Sequence, residues 1–188
     1  LTIARHGYSA QFTQVFFPLY PLLMRGIGIL FHDTNLLLSG ISVSFVMFII
    51  SLFLFYKLMR IDLDESASLW SILFLLIFPT SFYFAAIYTE SLFLFCMVAA
   101  FWYARKNSWW VSAVFGMLAA LTRFTGILLL VPLVCEWITQ AQHDSKPQIV
   151  KKKNRLIRWA YLIFSAPVTY LVPLGTAIYM GFLQLMYD

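Results

Sequence analysis

The hydrophobic positions fall in long runs separated by short polar breaks. The clearest run is Leu36 to Tyr56 (LLLSGISVSFVMFIISLFLFY), 21 residues without a charge, ending at Lys57 and Arg60. At 1.5 Å per residue such a helix covers the roughly 30 Å hydrocarbon core of a bilayer. Asp62, Asp64, Glu65 and Ser66 then form a short acidic loop at a helix start, where carboxylates suit the helix dipole. Ala67 to Phe78 reads as a short helix stopped by Pro79, and the PTSFYFAAIYTES that follows is apolar but broken. Ser91 to Tyr103 descends to Arg105 and Lys106. Trp109 to Leu121 returns and meets Arg123, and Gly126 to Ile138 descends again. Gln140 to Arg158 is the one properly polar loop. Trp159 to about Met186 is the last pass, with Pro167 and Pro173 expected to kink it.

Several of these passes are only 13 or 14 residues long, which is short for a crossing. Re-entrant or funnel-shaped geometry is expected, because irregular backbone at membrane depth survives only where protein or a water-filled cavity surrounds it. The 16-residue segment Phe16 to Phe31 (FFPLYPLLMRGIGILF) holds Pro18, Pro21 and Arg25, so it reads as an interfacial or re-entrant helix rather than a lipid-facing span. With the KKKNR loop on the cytoplasmic side, counting back puts Arg105, Lys106, Lys57 and Arg60 there too. Ten of thirteen Lys and Arg are then cytoplasmic, the exceptions being Arg5, Arg25 and Arg123. The predicted fold is an all-α polytopic membrane protein with about six spans plus an interfacial helix. Residues 1–35 form an outer segment carrying that helix and 36–139 a helical core. Residues 140–158 form a basic cytoplasmic loop and 159–186 the C-terminal span, together one transmembrane domain.

Composition narrows the class further. Hydrophobic residues make up 62%, aromatics 19% and charged residues 11%, with mean hydropathy +0.83. That is too little polar surface to cover a soluble globule, and it excludes disordered and nucleic-acid-binding classes as well. The pI near 9.3 does not alter this, because six of the thirteen basic residues sit between Lys146 and Arg158, beside the bilayer rather than in a binding stripe. Lys151, Lys152, Lys153, Arg155 and Arg158 read as a topogenic loop that touches anionic lipid. Cys96 and Cys135 lie in apolar runs with no CxxC and read as small hydrophobes. No metal-ligand run, P-loop, GxGxxG, GxSxG or HExxH occurs, so no cofactor is expected and a nucleotide site is missing. The chain opens on Leu1 in mid-pattern, and a longer protein is expected upstream.

Parity gathers four features on one outer face: ARHGY (Ala4 to Tyr8), the FFPLYPLL stretch, IYTES (Ile87 to Ser91) and LTRFTG (Leu121 to Gly126). Glu90 is the sole charge between Ala67 and Tyr103. At membrane depth a charge costs about 2.5–3.5 kcal/mol on insertion scales, so Glu90 should be paired, protonated or facing water. Arg123, in its own apolar frame at the same membrane end, is the natural partner. The two could be a structural ion pair or could line a polar cavity for an anionic or hydroxyl-bearing substrate, since guanidinium donates bidentately to phosphate. His6, with Arg5 and Tyr8, is either a solvated helix-end residue or a proton acceptor. Tyr20, Tyr83 and Tyr88 read as belt aromatics ahead of ligands, and Trp109 and Trp110 as a cytoplasmic belt.

The order IARHGY, FFPLYPLL, FPTSFYFAAIYTESLFL and ALTRFTGILLLVPL resembles the PIG-V-like mannosyltransferases, over about Ile3 to Pro132. These are GT-C-class membrane glycosyltransferases, relatives of the enzyme that adds the second mannose to GPI anchors, and the bacterial members look most similar. The resemblance implies a GT-C-like transmembrane helix bundle, a polyprenyl- or dolichyl-phosphate sugar donor, a glycan or glycolipid acceptor and membrane lipid as partner. It also implies an outward-facing site and inverting transfer, with a carboxylate upstream of Leu1 as general base. On the matching motifs it carries over Tyr88, Glu90, Ser91 and Arg123, with Arg5, His6, Gly7 and Tyr8 in the outer segment, as substrate-binding residues. A bacterial cell membrane, or the endoplasmic reticulum in a eukaryote, is the implied location. Broken helices with intramembrane charge also suit a transporter or flippase of a lipid-linked or small polar substrate, and a non-catalytic membrane scaffold is a third reading.

Overall fold

A computed structural model describes residues 2–6, 17–32, 36–144 and 165–187. Among the described residues the regular structure is entirely helical: α1 (Thr2–His6), α2 (Leu19–Leu30), α3 (Leu37–Met59), α4 (Glu65–Ile77), α5 (Glu90–Arg105), α6 (Trp109–Ala120), α7 (Leu130–Asp144) and α8 (Pro167–Tyr187). Short 3-10 segments at Ser81–Phe84 and Phe124–Leu129 precede α5 and α7.

The helices are built inside out relative to those of a soluble protein. In α3, Ser39, Gly40, Val43, Ser44 and Ser51 face inward, while Leu38, Ile41, Phe45, Ile49 and Phe53 are exposed. Lipid is as apolar as Leu, so large side chains gain nothing by turning in. Small residues do, because they let helix backbones approach. The centre packs α5, α6 and α8 on the same rule. Ala99, Ala100 and Ala104 of α5 and Ala113, Ala119 and Ala120 of α6 are fully buried. A Cβ on Gly116 would lie 2.6 Å from Val172 Cγ2, and one on Gly175 would lie 2.5 Å from the Met117 carbonyl oxygen. These two glycines let α6 and α8 cross at close range.

Local chemistry sets the helix ends. The Asp64 side chain caps α4 by accepting from Ala67 N at 3.3 Å, with Glu65 in the first turn. Helix α4 stops at Phe78, ahead of Pro79. Asn107 takes the left-handed conformation (φ 61°) that reverses the chain between α5 and α6, and its side chain accepts from Trp109 Nε1 at 2.9 Å.

Among the described residues three helical stretches are long and apolar enough to cross a membrane: Leu37–Met59, Phe124–Ala141 and Pro167–Leu185. The apolar helices Leu19–Leu30, Glu65–Ile77 and Trp109–Ala120 are shorter, so length and composition among those residues establish three spans of the about six expected. Helix α7 continues through Asp144, past the helical core drawn from sequence to residue 139. Gln140 gives it a reason to continue: its Nε2 donates to Glu136 Oε1 at 2.7 Å and to the Ala104 carbonyl at 3.1 Å. Arg105 meets Asp62 and, at 3.5 Å, Glu136, so one arginine ties the α3–α4 turn, α5 and α7 together at that end.

Pro167 opens α8 instead of kinking it, a position where its missing N–H costs nothing, while Pro173 does lie inside the helix. Trp110 is exposed as a belt residue should be, but Trp109 is buried edge-on against Trp137. Cys96 is buried and Cys135 exposed. The basic cluster from Lys151 to Arg158 lies outside the described residues.

Candidate functional site

The first turn of α5 and the turn after α6 hold the two isolated charges, Glu90 and Arg123. After α6 the chain leaves helical geometry at Arg123, whose backbone is extended (φ −154°, ψ 146°). The turn is tied back onto the last turn of α6. Thr122 Oγ1 donates to the Ala119 carbonyl at 2.6 Å, Arg123 N donates to the same oxygen at 3.2 Å, and Gly126 N donates to the Arg123 carbonyl at 2.9 Å. Gly126 sits so close to α6 that a Cβ would stand 2.4 Å from the Ala119 oxygen. Only glycine fits that approach.

Glu90 stands in the first turn of α5. The chain reaches it from the 3-10 segment Ser81–Phe84 through an irregular stretch, where Tyr88 N donates to the Ala86 carbonyl at 2.8 Å. Ser91 is fully buried and its hydroxyl donates to the Phe84 carbonyl. That bond fastens the irregular stretch to α5.

Glu90 and Arg123 meet, as their isolation in apolar sequence predicts. Arg123 Nη1 donates to Glu90 Oε1 at 2.7 Å, with side-chain exposures of 40% for Arg123 and 25% for Glu90. Pairs this exposed contribute about 0–1 kcal/mol to stability, a weak reason to keep two charges in an apolar frame. Glu90 Oε2 is buried and has no hydrogen-bond partner among the described residues. The remaining N–H groups of Arg123 likewise have no acceptor among the described residues. The pair therefore offers one unfilled acceptor and an unfilled donor fork.

Helix α2 closes the arrangement. Its first amide, Leu19 N, donates to the Leu121 carbonyl at 3.3 Å. Phe17 packs on Tyr179 of α8 with ring centroids 4.5 Å apart. Tyr20 is buried, and this corrects its reading as a belt aromatic. Its hydroxyl lies 3.1 Å from the Gly40 carbonyl and 2.8 Å from Ser44 Oγ. Met24 and Ile87 both close on Gly40, where a Cβ would meet Met24 Cε and Ile87 Cγ2 at 2.8 Å. The Tyr88 ring is half-exposed and meets Tyr83 edge-on at 5.3 Å, and Phe82 lies 4.2 Å from Tyr83.

Of the residues singled out from sequence, Glu90, Arg123 and Tyr88 are brought together at one end of the bundle. Arg5 lies exposed on α1, beside Ala4, which is buried in the core cluster that includes Tyr20 and Met24. Gly7, Tyr8 and the His6 side chain lie outside the described residues. The roles of Tyr20, Gly40, Ser44 and Gly126 do not follow from the sequence pattern as read above. The four-residue spacing of Gly40 and Ser44 on α3 is the signal that could have found a packing seat there. Among the described residues no group of three His, Cys, Asp or Glu could hold a metal ion.

No curated protein and no solved structure matches the sequence. A family model does: the one described as Mannosyltransferase (PIG-V) matches residues 1–185. With helices apolar and long enough to cross a membrane and a match over nearly its whole length, this chain belongs to the PIG-V mannosyltransferase family of membrane glycosyltransferases.

Proposed function

We propose that this protein transfers a mannosyl residue from a polyprenyl-phosphate donor to a glycan or glycolipid acceptor on the outer face of its membrane. The observation that carries the reading is the state of Arg123. One N–H is held by Glu90, while the rest of the guanidinium is unaccepted among the described residues and 40% exposed. That is a phosphate-binding group anchored in place with its fork open.

In the reaction an acceptor oxygen attacks C1 of the sugar from the face opposite the phosphate, and the configuration at C1 inverts. The bond from C1 to the phosphate oxygen breaks, its electron pair leaving with the polyprenyl phosphate. The acceptor proton passes to a carboxylate, assigned on this reading to chain upstream of Leu1. Negative charge grows on the leaving phosphate, where Arg123 lies ready, and preorganised donors act there without reorganisation. Glu90 fixes the fork through Oε1 and accepts a sugar hydroxyl at Oε2. The exposed Tyr83 and Tyr88 rings meet edge-on in the stretch that leads to Glu90. The shorter helices α4, α5 and α6 complete a bundle of about six crossings with α2 as an additional interfacial helix, and the polyprenyl tail reaches the pair from the lipid between helices.

The test is mannose transfer by the full-length protein in membrane vesicles supplied with polyprenyl-phosphate mannose. Losing one preorganised donor typically lowers kcat about 100- to 1000-fold. Arg123→Ala should fall in that range, with Arg123→Lys recovering part of it. Wild-type turnover by Arg123→Ala would refute the assignment.

A further inference from the structure

The two turns that carry Glu90 and Arg123 belong to different parts of the chain, 33 residues apart. Their relative position is set by more than their own ion pair. The first amide of α2 bonds the Leu121 carbonyl, two residues before Arg123. The next residue, Tyr20, is hydrogen-bonded at 2.8 Å to Ser44, whose hydroxyl reaches the Tyr88 carbonyl at 3.5 Å, two residues before Glu90. Met24, one turn further along α2, and Ile87 share the seat left open by Gly40. One short helix thus bonds the Arg123 turn directly and reaches the stretch before Glu90 through Ser44 of α3.

The protons can be counted. Tyr20 and Ser44 have one hydroxyl proton each. If Tyr20 donates to the Gly40 carbonyl, Ser44 donates to Tyr20 and the Tyr88 carbonyl is left without it. If Tyr20 donates to Ser44, the Ser44 proton is available to Tyr88. In either order α2 stays bonded to α3, and in the second the stretch leading to Glu90 is held as well.

We propose that Tyr20 and Ser44 are positioning residues that make α2 the gauge between the Glu90 and Arg123 turns. Neither side chain is assigned contact with a sugar or a phosphate. The inference deepens the glycosyltransferase reading and rests on it for its catalytic consequence, though not for its geometry. The consequence is expected in kcat, because a misplacement of about 1 Å costs about 100-fold when reacting groups must be aligned.

Two measurements on the full-length protein separate the geometry from the function. In a background with Cys96 and Cys135 changed to Ala, Glu90→Cys and Arg123→Cys are introduced together. Cross-linking by a short bifunctional thiosulfonate is then timed with and without Tyr20→Phe or Ser44→Ala. Removing the ion pair in this way leaves the register to α2. A severalfold slower or more dispersed cross-linking in either variant supports the proposal, and unchanged rates in both overturn it. With native residues at 90 and 123, Tyr20→Phe should lower kcat about tenfold or more, with KM for the donor within about twofold and unfolding temperature nearly unchanged. Slower cross-linking with normal turnover upholds the gauge and instead removes the catalytic role of the pair.

Discussion

Gly126→Ala is expected to damage both the fold and the activity. An added Cβ would stand 2.4 Å from the Ala119 oxygen, 2.5 Å from its carbonyl carbon and 2.6 Å from Ala120 Cα, whereas ordinary contact begins at 3.4 Å. All three atoms are α6 backbone, so no side chain can swing aside, and the turn must retreat by about 1 Å. Overpacking of this kind costs about 1–3 kcal/mol. A chain of this length loses about 2–4 °C in unfolding temperature for each kcal/mol. Gly126 N is bonded to the Arg123 carbonyl at 2.9 Å, so the displacement reaches Arg123 directly. If Arg123 holds the donor phosphate as proposed, a shift of about 1 Å there is enough to lower turnover about 100-fold. The assay pairs thermal unfolding in detergent, followed by tryptophan fluorescence, with mannose transfer in vesicles. Gly181→Ala is the control, because a Cβ there meets nothing within 4 Å and the site lies inside α8. It should be neutral or stabilise by up to about 1 kcal/mol. If Gly126→Ala behaves like Gly181→Ala, the close approach does not govern the turn and the reasoning fails.

Further outcomes follow from the same contacts. Gly40→Ala should cost less than about 1.5 kcal/mol, because the atoms its Cβ would meet are the ends of Met24 and Ile87, which can move; Gly40→Leu should unseat α2, read as protease sensitivity near residue 20. Arg105→Ala should lower stability by about 1 kcal/mol or less, the more so at low salt, while leaving KM and kcat unchanged, since its partners Asp62 and Glu136 lie at the other end of α5. Glu90→Gln keeps a neutral acceptor for Arg123 but loses the charge, and transfer should fall at least tenfold; wild-type turnover in that variant would detach Glu90 from the site. Single cysteines at 90 and 123 should both react with a membrane-impermeant thiol reagent added from the outer side, and labelling from opposite sides would end the outward-facing assignment.

Helix α3 is legible in the sequence because 21 uncharged residues admit no other reading, and the ends of α4 are legible because Asp64 and Pro79 punctuate them. The Glu90–Arg123 pair is legible for an energetic reason: a lone charge in an apolar frame demands a partner, and Arg123 sits in its own apolar frame at the same end of its pass. Tyr20 is not, because an aromatic near a membrane boundary looks the same from sequence whether its ring faces lipid or its hydroxyl is buried against Ser44. Trp109 and Trp110 show the same ambiguity, adjacent along the chain with one buried and one exposed. Ser91 lies in a matching motif, yet its hydroxyl is spent on the Phe84 carbonyl.

Hydropathy and isolated charge are properties of the chain itself, so the sequence alone determined that these helices seek a bilayer and that Glu90 and Arg123 must find compensation. Which backbone approaches which is a matter of three-dimensional shape. The seats at Gly40, Gly116 and Gly126, and the docking of α2 on the Arg123 turn and on α3, were decided only when the helices packed. In lipid that packing is driven by close fit among small residues rather than by burial of large ones, and close fit leaves little periodic trace in the sequence.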